Sequence, residues 1–213
     1  MGDLIVLKER LQEQAGLGLE RERPAFYLDL ACPFSYLAAE RVERLLGVLD
    51  WIPASGFPPS PDRVAEAEER AVALRLPLLW PEDYPAPVPS AMRALSYAAE
   101  AGASRRFALA AFRLRFCGGY QLGRSEVLSE LAAALGIPRA GCLEAAADDR
   151  RDELLELTGR GLRRRGVREL PAIQLEGRWL QGEQALLAAA ALRHDIDAAR
   201  QTGGAPHPLA PPA

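Results

Sequence analysis

Strand-forming patterns occur only near the two ends of this 213-residue chain, and roughly a hundred residues of helical pattern separate them. At the N-terminal end, "PAFYLDLA" (24–31) is short, aromatic and apolar, which is the pattern of a buried strand. An amphipathic segment follows from Phe34 to Leu46, with Tyr36, Leu37, Val42, Leu45 and Leu46 on one side and Gly47 placed to close it. "VLDWIPAS" (48–55) is the second strand, so this unit is strand–helix–strand. At the other end, "LPAIQL", a Glu176-Gly177 turn and "RWLQG" predict a hairpin, and "EQALLAAAALRHDIDAAR" a closing helix. The order βαβ, helical block, ββα predicts an α/β thioredoxin-like fold with a central all-helical insertion.

The predicted parts are an N-terminal extension (1–23) with a short helix over 3–14, the first part of the α/β domain (24–60), the insertion (61–166), the second part (167–200) and a disordered Gly/Pro-rich tail (201–213). Within the insertion, Pro61 suits a first helical turn. Five prolines at 77, 81, 85, 87 and 89 make an extended loop. Ser90, Ser104 and Ser125 are candidate helix caps, with Gly102, Gly118–Gly119 and Gly136 as terminators.

Composition excludes several classes of function. A net charge of −3 gives no reason to expect nucleic acid as a partner, and no run is long enough to span a membrane. No targeting segment is visible, and three cysteines do not form a disulfide framework, so a reducing cytoplasm is expected. Every lysine or arginine except Lys8 is arginine. His194 and His207 lie apart with no metal-binding spacing, so no metal is expected and no Ser–His–Asp set can be built.

The candidate site is "CPFS". Cys32 lies where the first strand ends and the first helix begins; unpaired N–H groups there favour a thiolate, which predicts a lowered thiol pKa. Pro33 has no N–H to leave unsatisfied. Position alone leaves two readings open, a reactive thiol and a small buried residue at a strand end. Cys117 and Cys142 are read as buried or incidental helix cysteines. The arginines at 160, 163, 164, 165 and 168 are read as a solvated helix face. For Trp80 and Tyr84, walling a pocket and packing under the loop both stay open.

The stretches "FYLDLACPFSYLAAE", "LRLPLLWPEDYP" with "SAMRAL", and "LPAIQLEGRWLQGEQALLAAAAL" together resemble the DsbA-like branch of the thioredoxin superfamily, and within it the 2-hydroxychromene-2-carboxylate isomerases and kappa-class glutathione transferases. The resemblance covers about residues 24–195. It implies that Cys32 stands where the transferases carry a serine and the oxidoreductases their nucleophile, and that Ser35 replaces a resolving cysteine. It implies a cis Leu170-Pro171 bond presenting backbone to a thiol partner, with Pro33 and Phe34 also binding substrate or glutathione, and Glu183 and Gln184 at the start of the last helix, where the acid holds the α-amino group of glutathione and the helix N-terminus its γ-glutamyl carboxylate. The family's lysine has no equivalent; an arginine such as Arg63 could replace it. The expected activity is thiol-dependent oxidoreduction through one cysteine, with glutathione as cosubstrate and a small thiol or disulfide as substrate. The alternatives are a glutathione-dependent isomerase or transferase and a non-catalytic thiol-peptide-binding protein. Family members often form dimers, so the resemblance admits a homodimer.

Overall fold

A computed structural model describes residues 23–202. The helix expected over 3–14 and the tail with His207 lie outside the described residues. Among the described residues, four strands form one sheet in the order β2-β1-β3-β4. β1 (Ala25–Leu28) runs parallel to β2 (Asp50–Pro53) and antiparallel to β3 (Ala172–Leu175), which pairs antiparallel with β4 (Arg178–Gln181). β1 and β3 are buried at every position, which is why their sequences are nearly continuous apolar runs. Phe26 lies opposite Trp51 in the register, and their rings meet edge to face at 4.9 Å. The hairpin turn is the expected Glu176-Gly177, both at positive φ (48° and 73°), the geometry that matches strand twist.

The first predicted helix divides in two. α1 (Pro33–Ala39) and α2 (Val42–Leu46) are separated at Glu40 and Arg41, where the chain tightens: Arg41 N–H bonds to Ala38 O and its φ is −128°. Apolar periodicity continues across the break, so spacing alone reads one helix. The insertion is helical as expected, with a 3₁₀ turn (Pro61–Arg63) leading into α3 (Val64–Leu74), then α4 (Pro89–Glu100), α5 (Ser104–Phe116), α6 (Ser125–Ala134), α7 (Arg139–Ala147) and α8 (Arg150–Arg164). α9 (Ala185–Thr202) closes the fold and takes in Gln201 and Thr202, which the sequence reading assigned to the tail.

The expected serine caps are corrected. Val88, Ala103 and Arg124 hold the cap positions and none of them makes a side-chain capping bond. Ser90, Ser104 and Ser125 stand inside the first turns, and Ser104 Oγ instead donates to Trp51 O at 2.7 Å, tying α5 to β2. The terminating glycines do adopt the left-handed conformation at Gly102, Gly119 and Gly136.

One continuous apolar core joins sheet and insertion, from Phe26 and Ile173 through Leu95 to Phe107, Phe112 and Phe116. α8 reaches the sheet side through Gly159, where a Cβ would stand 1.8 Å from Ser55 O. Gly159→Ala is therefore expected to destabilise the protein by about 1–3 kcal/mol, while Gly123→Ala, where a Cβ meets nothing, changes little. Thermal unfolding of the two variants checks this.

Candidate active site

β1 delivers the chain to a tight turn. Asp29 Oδ1 accepts from Ala31 N–H at 2.8 Å, and Cys32 N–H bonds back to Asp29 O at 3.0 Å. Cys32 is the N-cap of α1: it is extended (φ −88°, ψ 116°), its carbonyl accepts the first helical bond from Tyr36 N–H, and its sulfur accepts from Ser35 N–H at 3.4 Å. Pro33 follows in the first helical turn. On the other side, Cys32 Sγ–H donates to Leu170 O at 3.3 Å. The Leu170–Pro171 peptide is cis. Residues 138 apart in sequence thus share one hydrogen bond at the sulfur.

A pocket of ≈ 330 Å³ opens over this contact. Cys32, Pro33, Phe34 and Leu170 form one wall. The loop 56–60, between β2 and the 3₁₀ turn, and Tyr84 form another. Arg63, Arg163, Arg168 and Glu169 line the rest. Arg63 is held by Glu66 (2.7 and 2.8 Å) and by Glu169, with its guanidinium 4.2 Å from the centre of the Phe34 ring. Those carboxylate bonds, Glu66 first, push the Arg63 pKa up.

The expectation of a low thiol pKa is overturned. Cys32 is 8% exposed, and burial pushes its thiol up to about 11. The Ser35 hydroxyl and the Ser35 and Phe34 N–H groups work against the rise, and the charge of Asp29 adds to it. Ser35 Oγ, fully buried, makes no hydrogen bond of good geometry; it assists the sulfur only by standing close. At neutral pH the resting Cys32 is a thiol. Asp29 is also pushed up, to about 6, by burial, against the bond from Ala31 N–H and the charge of Arg115.

The arrangement supplies a nucleophile and an adjacent carbonyl, but no second thiol. Cys117 and Cys142 do not line the pocket. Cys142 is buried in α7; Cys117 is exposed at the end of α5, 3.2 Å from Tyr36 Oη. The single hydroxyl hydrogen of Tyr36 goes to Pro77 O at 2.7 Å, so the Cys117 S–H is the donor to Tyr36. Among the described residues no group of three or more His, Cys, Asp or Glu could hold a metal ion. No helix there is long and apolar enough to cross a membrane.

Residues 25–192 match the family model of the DSBA-like thioredoxin domain. The chain belongs to that family. No curated protein matches it. Among solved structures, a 2-hydroxychromene-2-carboxylate isomerase superposes with a TM-score of 0.73 at 15% identity, covering 85% of this chain and 99% of that one. The cytosolic disulfide reductase DsbM from Pseudomonas aeruginosa, solved with GSH, superposes with a TM-score of 0.62 at 18% identity, covering 84% and 98%. At these identities the likeness is one of fold.

Within this DSBA-like fold, Cys32, Pro33, Phe34 and Leu170 come together at the pocket, with Ser35 behind the sulfur. Glu183 and Gln184 do not line it: the Glu183 carboxylate is taken by Arg70, and Gln184 is exposed just before α9. The two readings of the proline loop divide between its aromatics. Tyr84 lines the pocket, while Trp80 packs beneath it at 4.3 Å and donates to Glu68. The arginine run is not a solvated face throughout, since Arg163 and Arg168 reach the pocket. The closeness of Arg168 to Leu170-Pro171 in the sequence was the one signal that could have found it.

Asp29→Asn keeps an acceptor for Ala31 N–H and removes a charge that burial disfavours. A raised carboxyl pKa favours the folded state at low pH, and that contribution is lost as pH rises from the unfolded value of 3.8 through about 6. The variant is therefore expected to gain stability relative to the parent on going from pH 4 to pH 8, by an amount on the order of 2 kcal/mol. Denaturant unfolding at the two pH values measures it.

Proposed function

We propose that the protein is a thiol-dependent enzyme that exchanges disulfides through the single cysteine Cys32, acting on a small thiol or disulfide with glutathione as cosubstrate. The observation that carries this is the Cys32 sulfur meeting the Leu170 carbonyl inside an open pocket. A partner lying along the Leu170–Pro171 segment would offer its own N–H to that carbonyl, as an added strand does. The thiol then loses its acceptor, while the N–H groups of Phe34 and Ser35 remain to favour a thiolate. Docking and activation of the nucleophile are one event in this reading.

The step balances without a second protein thiol. The sulfur of Cys32 attacks a disulfide RS–SR; a new Cys32–SR bond forms, the RS–SR bond breaks, and the departing thiolate takes up the proton that Cys32 gives up. A free thiol R′SH then attacks the mixed disulfide, restoring Cys32–SH and releasing RS–SR′. Ser35, where a resolving cysteine would stand, makes the external thiol necessary. The structure of DsbM with GSH, a protein similar in fold, supports glutathione in that role here.

A second reading has an observation of its own. A protonated Cys32 is a hydrogen-bond donor, so it could hold a glutathione thiolate as a serine hydroxyl would, in an isomerase or transferase. Mixing the protein with oxidised glutathione separates the two, read by intact mass and peptide mapping. The expected result is one glutathione on Cys32, released by reduced glutathione and absent in Cys32→Ser. No adduct, together with glutathione-dependent turnover that survives Cys32→Ser, would overturn exchange in favour of glutathione activation. Binding of glutathione with neither adduct nor turnover would leave a binding protein.

A further inference from the structure

The three arginines of the pocket are not equivalent. Arg63 is compensated twice, by Glu66 and by Glu169, so the one carboxylate among the described lining residues is already engaged. Arg163, in the last turn of α8, has no carboxylate partner among the described residues. Its Nη1 donates to Gly56 O at 2.8 Å, and its guanidinium lies 5.5 Å from the centre of the Phe57 ring. Those contacts fix its position without neutralising it. Arg168 is exposed, and no side-chain partner holds it among the described residues; its backbone N–H is tied to Gln181 Oε1. It stands two residues before Leu170, whose carbonyl meets the sulfur of Cys32. Two uncompensated guanidinium groups therefore share one mouth with the thiol.

A guanidinium with free N–H groups is built to take a carboxylate in a forked pair. A small disulfide whose sulfur sits at Cys32 has its substituents within the same ≈ 330 Å³, which Phe34, Phe57 and these two cations line. Glu183, the residue expected to hold a ligand's amino group, is occupied by Arg70. Among the described residues, the charge that remains available to a ligand in the pocket is positive. We propose that Arg163 and Arg168 form a carboxylate-binding rim that selects small disulfides and thiols carrying negative charge near the sulfur. The inference rests on the exchange reading above and names the substrate class of that site.

The test uses three symmetrical disulfides of similar size: dithiodipropionate (anionic), hydroxyethyl disulfide (neutral) and cystamine (cationic). The rate of mixed-disulfide formation on Cys32 is followed by intact mass in a Cys117→Ser background, and each rate is divided by that of the same disulfide with a small free thiol. The anionic compound is expected to lead the cationic one by about tenfold at low ionic strength, with the gap closing as salt is added. Arg168→Glu, a change at an exposed side chain, should abolish or reverse the order, and Arg168→Lys should keep most of it. Equal normalised rates, or an order that Arg168→Glu leaves untouched, would overturn the rim. If none of the three reacts, the exchange reading falls instead, and the rim is decided by binding alone. Stabilisation of the fold by dithiodipropionate but not cystamine, lost in Arg168→Glu, would sustain it; no such difference would overturn it.

Discussion

The contact between the Cys32 thiol and the Leu170 carbonyl joins the two halves of the α/β fold at one atom. Each side of it has a separate origin. β1 and the Asp29 turn set the height of the sulfur, and α1 begins beneath it. β3, paired to β1 in antiparallel register, sets the height of Leu170 and Pro171. Burial of the sulfur sets its protonation state. A buried sulfur that donates to a carbonyl is favoured as a thiol, and the N–H groups of the helix start only moderate that preference. In this account the site rests in an unreactive form, and a partner's backbone releases it.

The insertion completes the pocket and holds the loop that walls it. Arg115 in α5 is fully buried; its Nη1 pairs with Asp83 at 3.0 Å and its Nη2 donates to Ala86 O, which pins both flanks of Tyr84. Leaving such a guanidinium without its carboxylate would be costly, so the 83–86 segment is held by a demand from the core. Tyr36 adds a second tie, from α1 to Pro77 O at the head of the loop. The same α1 that carries Cys32 at its start thus anchors the loop carrying Tyr84. The wall that carries Cys32 and the wall that carries Tyr84 are thus tied to one another through α1.

Much of this was legible in the sequence because it rests on local chemistry. The apolar run of β1, the Glu176-Gly177 hairpin, the proline-rich loop and Cys32 at a helix start each follow from residue types within a short window. What failed was long-range. The break at Glu40–Arg41 carries no glycine or proline and continues the apolar spacing, so only packing reveals it. The helix start alone predicts a low Cys32 pKa, but burial in the folded core, where the sulfur meets a carbonyl 138 residues away, outweighs that effect. Arg163 and Arg168 look like a solvated run until the 56–60 loop is seen to stand across from them. Glu183 matched a family position, yet Arg70 on α3 takes its charge first.

The most direct measurement is the ionisation of Cys32 itself, followed by thiolate absorbance against pH in a Cys117→Ser/Cys142→Ser background. The account expects an apparent pKa near 11, well above the ordinary thiol value of about 8.5. A midpoint at or below the ordinary value would show that the helix start governs the sulfur after all, and would contradict a resting thiol held by the Leu170 carbonyl.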